Sequence, residues 1–427
     1  MLIVGIVVFI LLIVAIPIGI ALSASSAVYI LIDPLLEPEV IFRAFFNFIG
    51  RYSLMAIPLF IYAGYLMERT GLISQLFKFA DALVGWLPGG FGVSTIMACV
   101  LFASISGSSV ASAAAMSVIA IPEMKKRGYP DWLSSGIVAG NGGIAILIPP
   151  SIPLVLYGIV TETSIVKLFF AGVIPGLLLA LTSIMAVMII SFRVKLPKGS
   201  FELARLGREF IGALPGLVMP VIILGGLYGG VFTPTEAAAA ACGYAMIYGL
   251  VTGRGEFMAQ LVPITRRALN LTAVILFLVG SVGVFQFLAA NLYWPQQITQ
   301  IVTGWGLSQL GFIFAYMGVL LILGCFVDGV AMILLTVPVI FPIAYALKID
   351  PVHLGVMLTL AVEMSVVTPP VGLNLFAVSG VSKIPITTVI KGSIPFFFAD
   401  VATLLIVIFI PATATWLPSV LVQQVFK

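Results

Sequence analysis

The chain has 427 residues, 61% of them hydrophobic and only 8% charged, with a formal net charge of +4. Soluble domains carry about 25% charged residues, so a water-soluble globule is excluded, and so small a charge on this length gives no support to nucleic-acid binding. Apolar stretches of about 20 residues, the length that spans a bilayer, recur from residue 2 to the end, which predicts an all-α polytopic membrane protein with no separate soluble domain.

In chain order, residues 2–32 come first. They lack a basic stretch ahead of the apolar run and a small-residue cleavage site, so they are expected to be the first membrane segment, either one tilted helix or two short ones broken near Pro17 and Gly19. Residues 91–121 are apolar at both ends but polar in the middle, from Ser104 through Ser106, Gly107, Ser108 and Ser109. That pattern predicts a helical hairpin that enters the membrane without crossing it, its tip lining a cavity, because non-helical backbone at membrane depth must be satisfied by protein or water. Next, 131–158 reads as a broken helix, interrupted at Asn141, Gly142 and Gly143 and again at Pro149, Pro150 and Ser151.

Basic residues cluster at Lys125, Lys126 and Arg127, in a linker over 193–212, and between Arg254 and Arg267, whereas 291–311 carry no charge. Positive loops face the cytoplasm, so the first three are expected inside and the last outside. The linker divides a first membrane repeat, 1–192, from a second, 213–427. Early in the second repeat Thr233, Pro234, Thr235 and Glu236 announce a capped helix, with a coupling role for Thr235 and Glu236 as the second possibility and lesser weight on Glu162 and Glu363. A second hairpin is expected over 308–345, with its break from Gly324 to Asp328 and Gly329, and a second broken helix over 352–380, with its break at Thr368, Pro369, Pro370, Gly372 and Asn374. His353, the one histidine, is expected at the surface. Cys99, Cys242 and Cys325 are expected as buried free thiols, since they lack CxxC spacing.

The two halves share punctuation. A shift of 220 residues lays Pro149-Pro150 on Pro369-Pro370, Pro122 on Pro342, Val110 on Val330 and Ala111 on Ala331. The segment after the first hairpin ends in basic residues and its counterpart, 343–349, is barely charged, so the copies are expected to be inverted in the membrane. Chemistry belongs at the breaks. An aspartate such as Asp328 at membrane depth costs about 2.5–3.5 kcal/mol, which a bound cation offsets. Carbonyls freed by paired prolines, with the oxygens of Ser108, Ser109, Ser151, Thr368 and Asn374, form a hard-oxygen set suited to Na⁺, and helix N-termini after the breaks suit a carboxylate.

Gly107-Ser108-Ser109, Gly142-Gly143 with Ile148-Pro149-Pro150-Ser151, Thr233-Pro234-Thr235-Glu236-Ala237 and Thr368-Pro369-Pro370 resemble the large membrane subunit of tripartite ATP-independent periplasmic (TRAP) transporters, nearly along the whole chain. The resemblance implies a multi-pass protein of the bacterial inner membrane and an elevator transporter: a body holding two hairpins moves against a scaffold, driven by Na⁺, to take up a small organic acid. It also implies two partners, a periplasmic substrate-binding protein and a separate small four-helix membrane subunit. Carried over by position, Ser106, Gly107, Ser108, Pro149, Asp328, Gly329, Thr368 and Pro369 become the Na⁺ neighbourhood. Ser108, Ser109, Asn141, Gly142, Ser151, Gly372 and Asn374 become the substrate neighbourhood. A stand-alone Na⁺/carboxylate symporter is the alternative. A membrane enzyme is disfavoured, because the chain shows no HExxH, no Gly-x-Ser-x-Gly and no Walker loop.

Overall fold

The structure is a computed structural model of the chain and describes residues 2–14, 16–325 and 327–425. All regular elements among these residues are helices. Six are long and apolar enough to cross a membrane, or eight if each of two sharply bent pairs counts as one span.

The chain opens with two short helices, α1 (Leu2–Ile13) and α2 (Ile18–Ile32), which resolves the choice left open for this stretch: the break falls at Pro17, whose fixed φ and missing N–H suit the position before a helix. Then come α3 (Glu39–Ile49), α4 (Ala56–Arg69) and α5 (Leu72–Val84). The turn into α4 bends the path by 60°. Gly71 precedes α5 at φ 76°, a left-handed conformation that favours glycine.

The first hairpin is α6 (Gly90–Ser106) and α7 (Ser109–Lys126). It breaks where the sequence places it. Gly107 closes α6 at φ 59°, and a Cβ there would sit 2.8 Å from the Pro150 carbonyl, so glycine meets both demands. Ser108 then caps α7 by accepting from the Ala111 amide. The broken helix follows as α8 (Asp131–Asn141), α9 (Ile144–Leu147) and α10 (Ile152–Thr161), with Ser151 capping α10 through the Leu154 amide. Both prolyl-proline bonds in the chain are cis.

A single long helix, α11 (Ile165–Val194), leads to α12 (Leu203–Pro220), which continues through a π-turn, Val221–Gly225, into α13 (Gly226–Tyr228). The non-helical stretch between α11 and α12 is 195–202, which lies within the expected linker 193–212. Its basic residues are also not simply solvated. Arg205 pairs with Asp81 of α5 at 2.5 Å and Arg127 approaches the same carboxylate at 3.7 Å. Asp81 is buried, and a buried carboxylate needs such partners, so the basic segments after α7 and in α12 lie on one face of the molecule.

The longest helix, α14 (Pro234–Asn291), begins with a full capping box: Thr233 accepts from the Glu236 amide while the Glu236 carboxylate accepts from the Thr233 amide. It runs against α2, α3 and α4. After α15 (Trp294–Gly304) the chain turns by 120° into α16 (Gln309–Gly324), which forms the second hairpin with α17 (Gly329–Ala346). Phe326, inside that hairpin's break, lies outside the described residues. The second broken helix is α18 (Pro351–Val366) and α19 (Leu373–Ser382), followed by α20 (Ile386–Phe409) and α21 (Ala412–Val425).

His353 is buried, at 5% exposure, contrary to the surface placement the sequence led us to expect. Asp350 caps α18 through the Val352 and His353 amides, so His353 stands in the first helical turn, and its Nε2 pairs with the Val407 carbonyl of α20 at 2.8 Å. Proximity to a loop in sequence gave no sign of the neighbouring helix. Of the three thiols, Cys99 is buried as expected, while Cys242 and Cys325 are half-buried; all three are free.

Packing is close where α20 lies on α8. A Cβ at Gly136 would stand 2.1 Å from the Gly392 backbone, and one at Gly140 would stand 2.4 Å from the Phe396 Cβ. Small residues permit this close approach between membrane helices, and it fixes the register of α20 against the broken helix.

Candidate functional site

A cavity of about 240 Å³ opens between the two hairpin tips. Gly107, Ser108 and Ser109 reach it from one tip and Asp328, Gly329 and Val330 from the other, while Ile146, Ile152 and Pro153 come from the first broken helix and Val362 and Val366 from α18. The remaining wall is Leu271, Val274, Ile275 and Leu278 of α14, one apolar face at helical spacing.

The chemistry of this space is asymmetric. The N-termini of α7 and α17 both abut it, and helix N-termini carry partial positive charge and free amides that favour anions. Asp328 occupies the N-cap position of α17, its carbonyl accepting from the Met332 amide at 2.8 Å and its carboxylate facing the first amides of that helix. One carboxylate, two serine hydroxyls and two helix starts thus meet in a pocket with an apolar far wall. Such a pocket has donors for a carboxylate ligand and hard oxygens for a small cation.

Behind the tip a buried hydrogen-bond chain ties the halves together. Asn374 of α19 donates to Ser109 Oγ at 2.7 Å and to the Ala139 carbonyl at 3.3 Å, and Ser109 donates to Glu363 Oε2 at 3.2 Å. The Glu363 carboxyl fills the space over Gly143: a Cβ there would fall 1.3 Å from its Cδ. Gly142 sits equally close to α7, where a Cβ would be 2.9 Å from the Ser109 carbonyl.

The expected site residues therefore separate into groups. Gly107, Ser108, Ser109, Asp328 and Gly329 line the cavity. Asn141, Gly142 and Asn374 stand one layer behind it, with Asn141 donating to the Ile137 carbonyl. Ser151 is buried and turned to the Ile146 carbonyl and the Leu154 amide, so its hydroxyl serves the helix break. At the second break Thr368 donates to the Met364 carbonyl and the Pro369 carbonyl accepts from Cys325 Sγ at 3.3 Å. Pro149, Thr368, Pro369 and Gly372 are not among the cavity's lining residues. Ser106 ends α6, but its side chain lies outside the described residues. Thr235 and Glu236 lie away from the cavity, at the start of α14, and Glu236 is engaged in the capping box.

Two features escaped the sequence reading. The α14 wall could not be assigned to the site from a regular apolar pattern. Glu363, given little weight, is fully buried beside the tip. Its signal was a lone acid within an apolar helix, and intramembrane ionisable residues are costly and functional by default.

Comparison with known proteins follows the same lines. The family described as tripartite ATP-independent periplasmic transporter, DctM component, matches residues 5–413. The chain is 41% identical over 373 residues to the C4-dicarboxylate TRAP transporter large permease protein DctM of Pseudomonas aeruginosa, covering 86% of each. It is 36% identical over 375 residues to the sialic acid TRAP transporter large permease protein SiaM of Vibrio cholerae, covering 87% of each. Among solved structures it resembles the Alcanivorax borkumensis YdaH transporter with a TM-score of 0.66, at 13% identity over 87% of each chain, a likeness of fold alone. With its many apolar helices and a family match along nearly its full length, the chain is a multi-pass membrane protein that belongs to the TRAP transporter family as the large permease component.

Proposed function

We propose that the chain carries a small organic acid, a C4-dicarboxylate or related carboxylate, across the bacterial inner membrane together with Na⁺. The observation that carries this reading is the convergence of Ser108, Ser109 and Asp328, at two helix N-termini, on one cavity of about 240 Å³. That volume suits an acid of a few carbons. Among the relatives, the DctM protein named for C4-dicarboxylate has the higher identity to this chain.

In this account the acid's carboxylate meets the amides at the starts of α7 and α17. Na⁺ is co-transported, held by Asp328 and the oxygens at Ser106 to Ser108, with carbonyls freed near Pro149 and Pro369 completing the set. The matched punctuation of the halves supports an inverted repeat, and Ser108 and Asp328, the cap positions of α7 and α17, are themselves 220 residues apart. The hairpins and broken helices form the moving body of an elevator, and α14 with α2, α3 and α4 forms the scaffold it moves against. A periplasmic binding protein delivers the acid, and a small membrane subunit supports the scaffold.

The test is uptake into proteoliposomes. With the small subunit, a loaded binding protein and an inward Na⁺ gradient, labelled C4-dicarboxylate should accumulate, and removal of either Na⁺ or the binding protein should stop it. Full uptake of free acid by this chain alone would overturn the tripartite reading in favour of a stand-alone symporter. Accumulation without a Na⁺ gradient would overturn the coupling.

A further inference from the structure

The far end of the first broken helix makes a polar contact outside the transport site. Lys125, at the basic end of α7, pairs with Asp131 at the start of α8 at 3.0 Å. From there α8 to α10 run over 31 residues, Asp131–Thr161, long enough to cross a membrane. The C-terminus of α10 therefore lies on the face opposite the basic segments, which is the outer face. There Arg51, in the turn between α3 and α4, donates from Nη1 to the Ile159 carbonyl at 2.8 Å, and its Nη2 approaches Glu162 Oε1 at 3.7 Å. Its guanidinium also lies 4.6 Å from the centre of the Phe48 ring.

Each part of this contact has a physical reason. The last four carbonyls of a helix lack intrahelical donors and carry partial negative charge, and Ile159 stands in the last turn of α10. Glu162 ends that helix at φ 56°, a left-handed conformation uncommon outside glycine, and adds a full negative charge at the same end. A cation is attracted to the face of an aromatic ring, so Phe48 helps to aim the guanidinium. The bond to the carbonyl dominates. A charge-assisted hydrogen bond is about twice as strong as a neutral one, whereas the Glu162 side chain is 80% exposed and an exposed ion pair contributes little.

In the elevator account α3 and α4 belong to the scaffold and α10 to the moving body, so Arg51 bonds across the boundary that has to slide. The α14 wall on that boundary, Leu271, Val274, Ile275 and Leu278, is apolar. Apolar contact is non-directional and holds the body without fixing its height, whereas a hydrogen bond weakens steeply as it is stretched or misaligned. A cavity of about 350 Å³, lined among others by Arg51, Ser53, Glu162, Thr163 and Ser164, opens beside the pair. Both partners meet water there when they part, so the bond can break without stranding a buried charge. We infer that Arg51 is a positioning residue for transport, a latch on the outer face that holds the body in the position seen here and lets go when the body moves. Such a latch rests on the elevator account.

Spin labels test it in the full chain reconstituted in lipid nanodiscs, one at Val118→Cys on the exposed face of α7 and one at Val262→Cys on the exposed face of α14, with the three native cysteines replaced. Pulsed dipolar spectroscopy then reads the distances between body and scaffold and their proportions. The parent chain should hold mainly the distance of this structure. Arg51→Met, which keeps an apolar stem but has no donor, should shift the ratio toward a second distance by about tenfold, the loss of one charge-assisted hydrogen bond. Arg51→Lys should recover part of that shift, and Glu162→Gln should change the ratio by less than about twofold. Two distances with an unchanged ratio in Arg51→Met, even with a lowered melting temperature, would make Arg51 a structural cap and overturn the latch while the moving body stands. A single distance in every variant, with and without Na⁺ and acid, overturns the moving body and the latch with it. Should Arg51→Met not accumulate, Arg51→Ser, too short to reach α10, takes its place with the same two outcomes.

Discussion

Ser108→Ala and Asp328→Ala are each expected to lower Na⁺-driven uptake by about ten- to a hundredfold while the protein still reaches the membrane. The magnitude follows from removing one oxygen that contacts a charged ligand, about 1.5–3 kcal/mol, with each 1.4 kcal/mol worth a factor of ten. The structural cost is smaller. Ser108 caps α7 through a long bond of 3.5 Å to the Ala111 amide, and loss of a cap costs about 1 kcal/mol. Asp328 is an exposed residue at the N-cap of α17, so its loss leaves no packing void of the kind a buried side chain would. Transport rates in proteoliposomes, normalised to protein inserted, separate the two effects. Equal falls in expression and uptake would mean that these residues only hold the hairpins together.

Gly143→Ala is expected to be strongly destabilising. Its Cβ would fall 1.3 Å from the Glu363 carboxyl carbon, and both residues are buried. Overpacking costs typically 1–3 kcal/mol, and here the displaced group is a carboxyl held by Ser109, so about 3 kcal/mol is expected. The readout is the melting temperature of the detergent-purified chain. Adding Glu363→Ala to Gly143→Ala should recover part of the loss, because it vacates the space that the new methyl needs. A double variant less stable than Gly143→Ala alone would show that the carboxyl is not what the methyl displaces.

Much of the architecture was legible because membrane segments are punctuated by residues with strong local rules. Gly107 with Ser108 marks the first hairpin tip, since one residue closes a helix at positive φ and the next caps another. Thr233 with Glu236 marks the start of α14 for the same kind of reason. Paired prolines at 149–150 and 369–370 mark breaks in the helical run. What local rules could not supply is which faces meet. His353 sits under α20, and no residue near it in sequence reports that helix. Asp400 lies in the apolar run of α20 and drew no notice, although a lone acid in such a run is itself a signal. Thr368 and Pro369 stand at the second break, where the Thr368 hydroxyl is turned back to its own helix and neither residue is among those that line the cavity between the tips. Position along the chain identified the broken segments; packing between helices decided which of their atoms face the pocket.

The central claim is that the space between the two hairpin tips holds the acid and its cation. It is tested most directly by thiol labelling of Val330→Cys, a cavity-lining position, in a chain whose three native cysteines are replaced. Val118→Cys, on the exposed face of α7, is the control. With Na⁺ and loaded binding protein present, labelling at 330 should slow several-fold while labelling at 118 is unchanged. An unaltered rate at 330 under conditions where uptake proceeds would contradict the account.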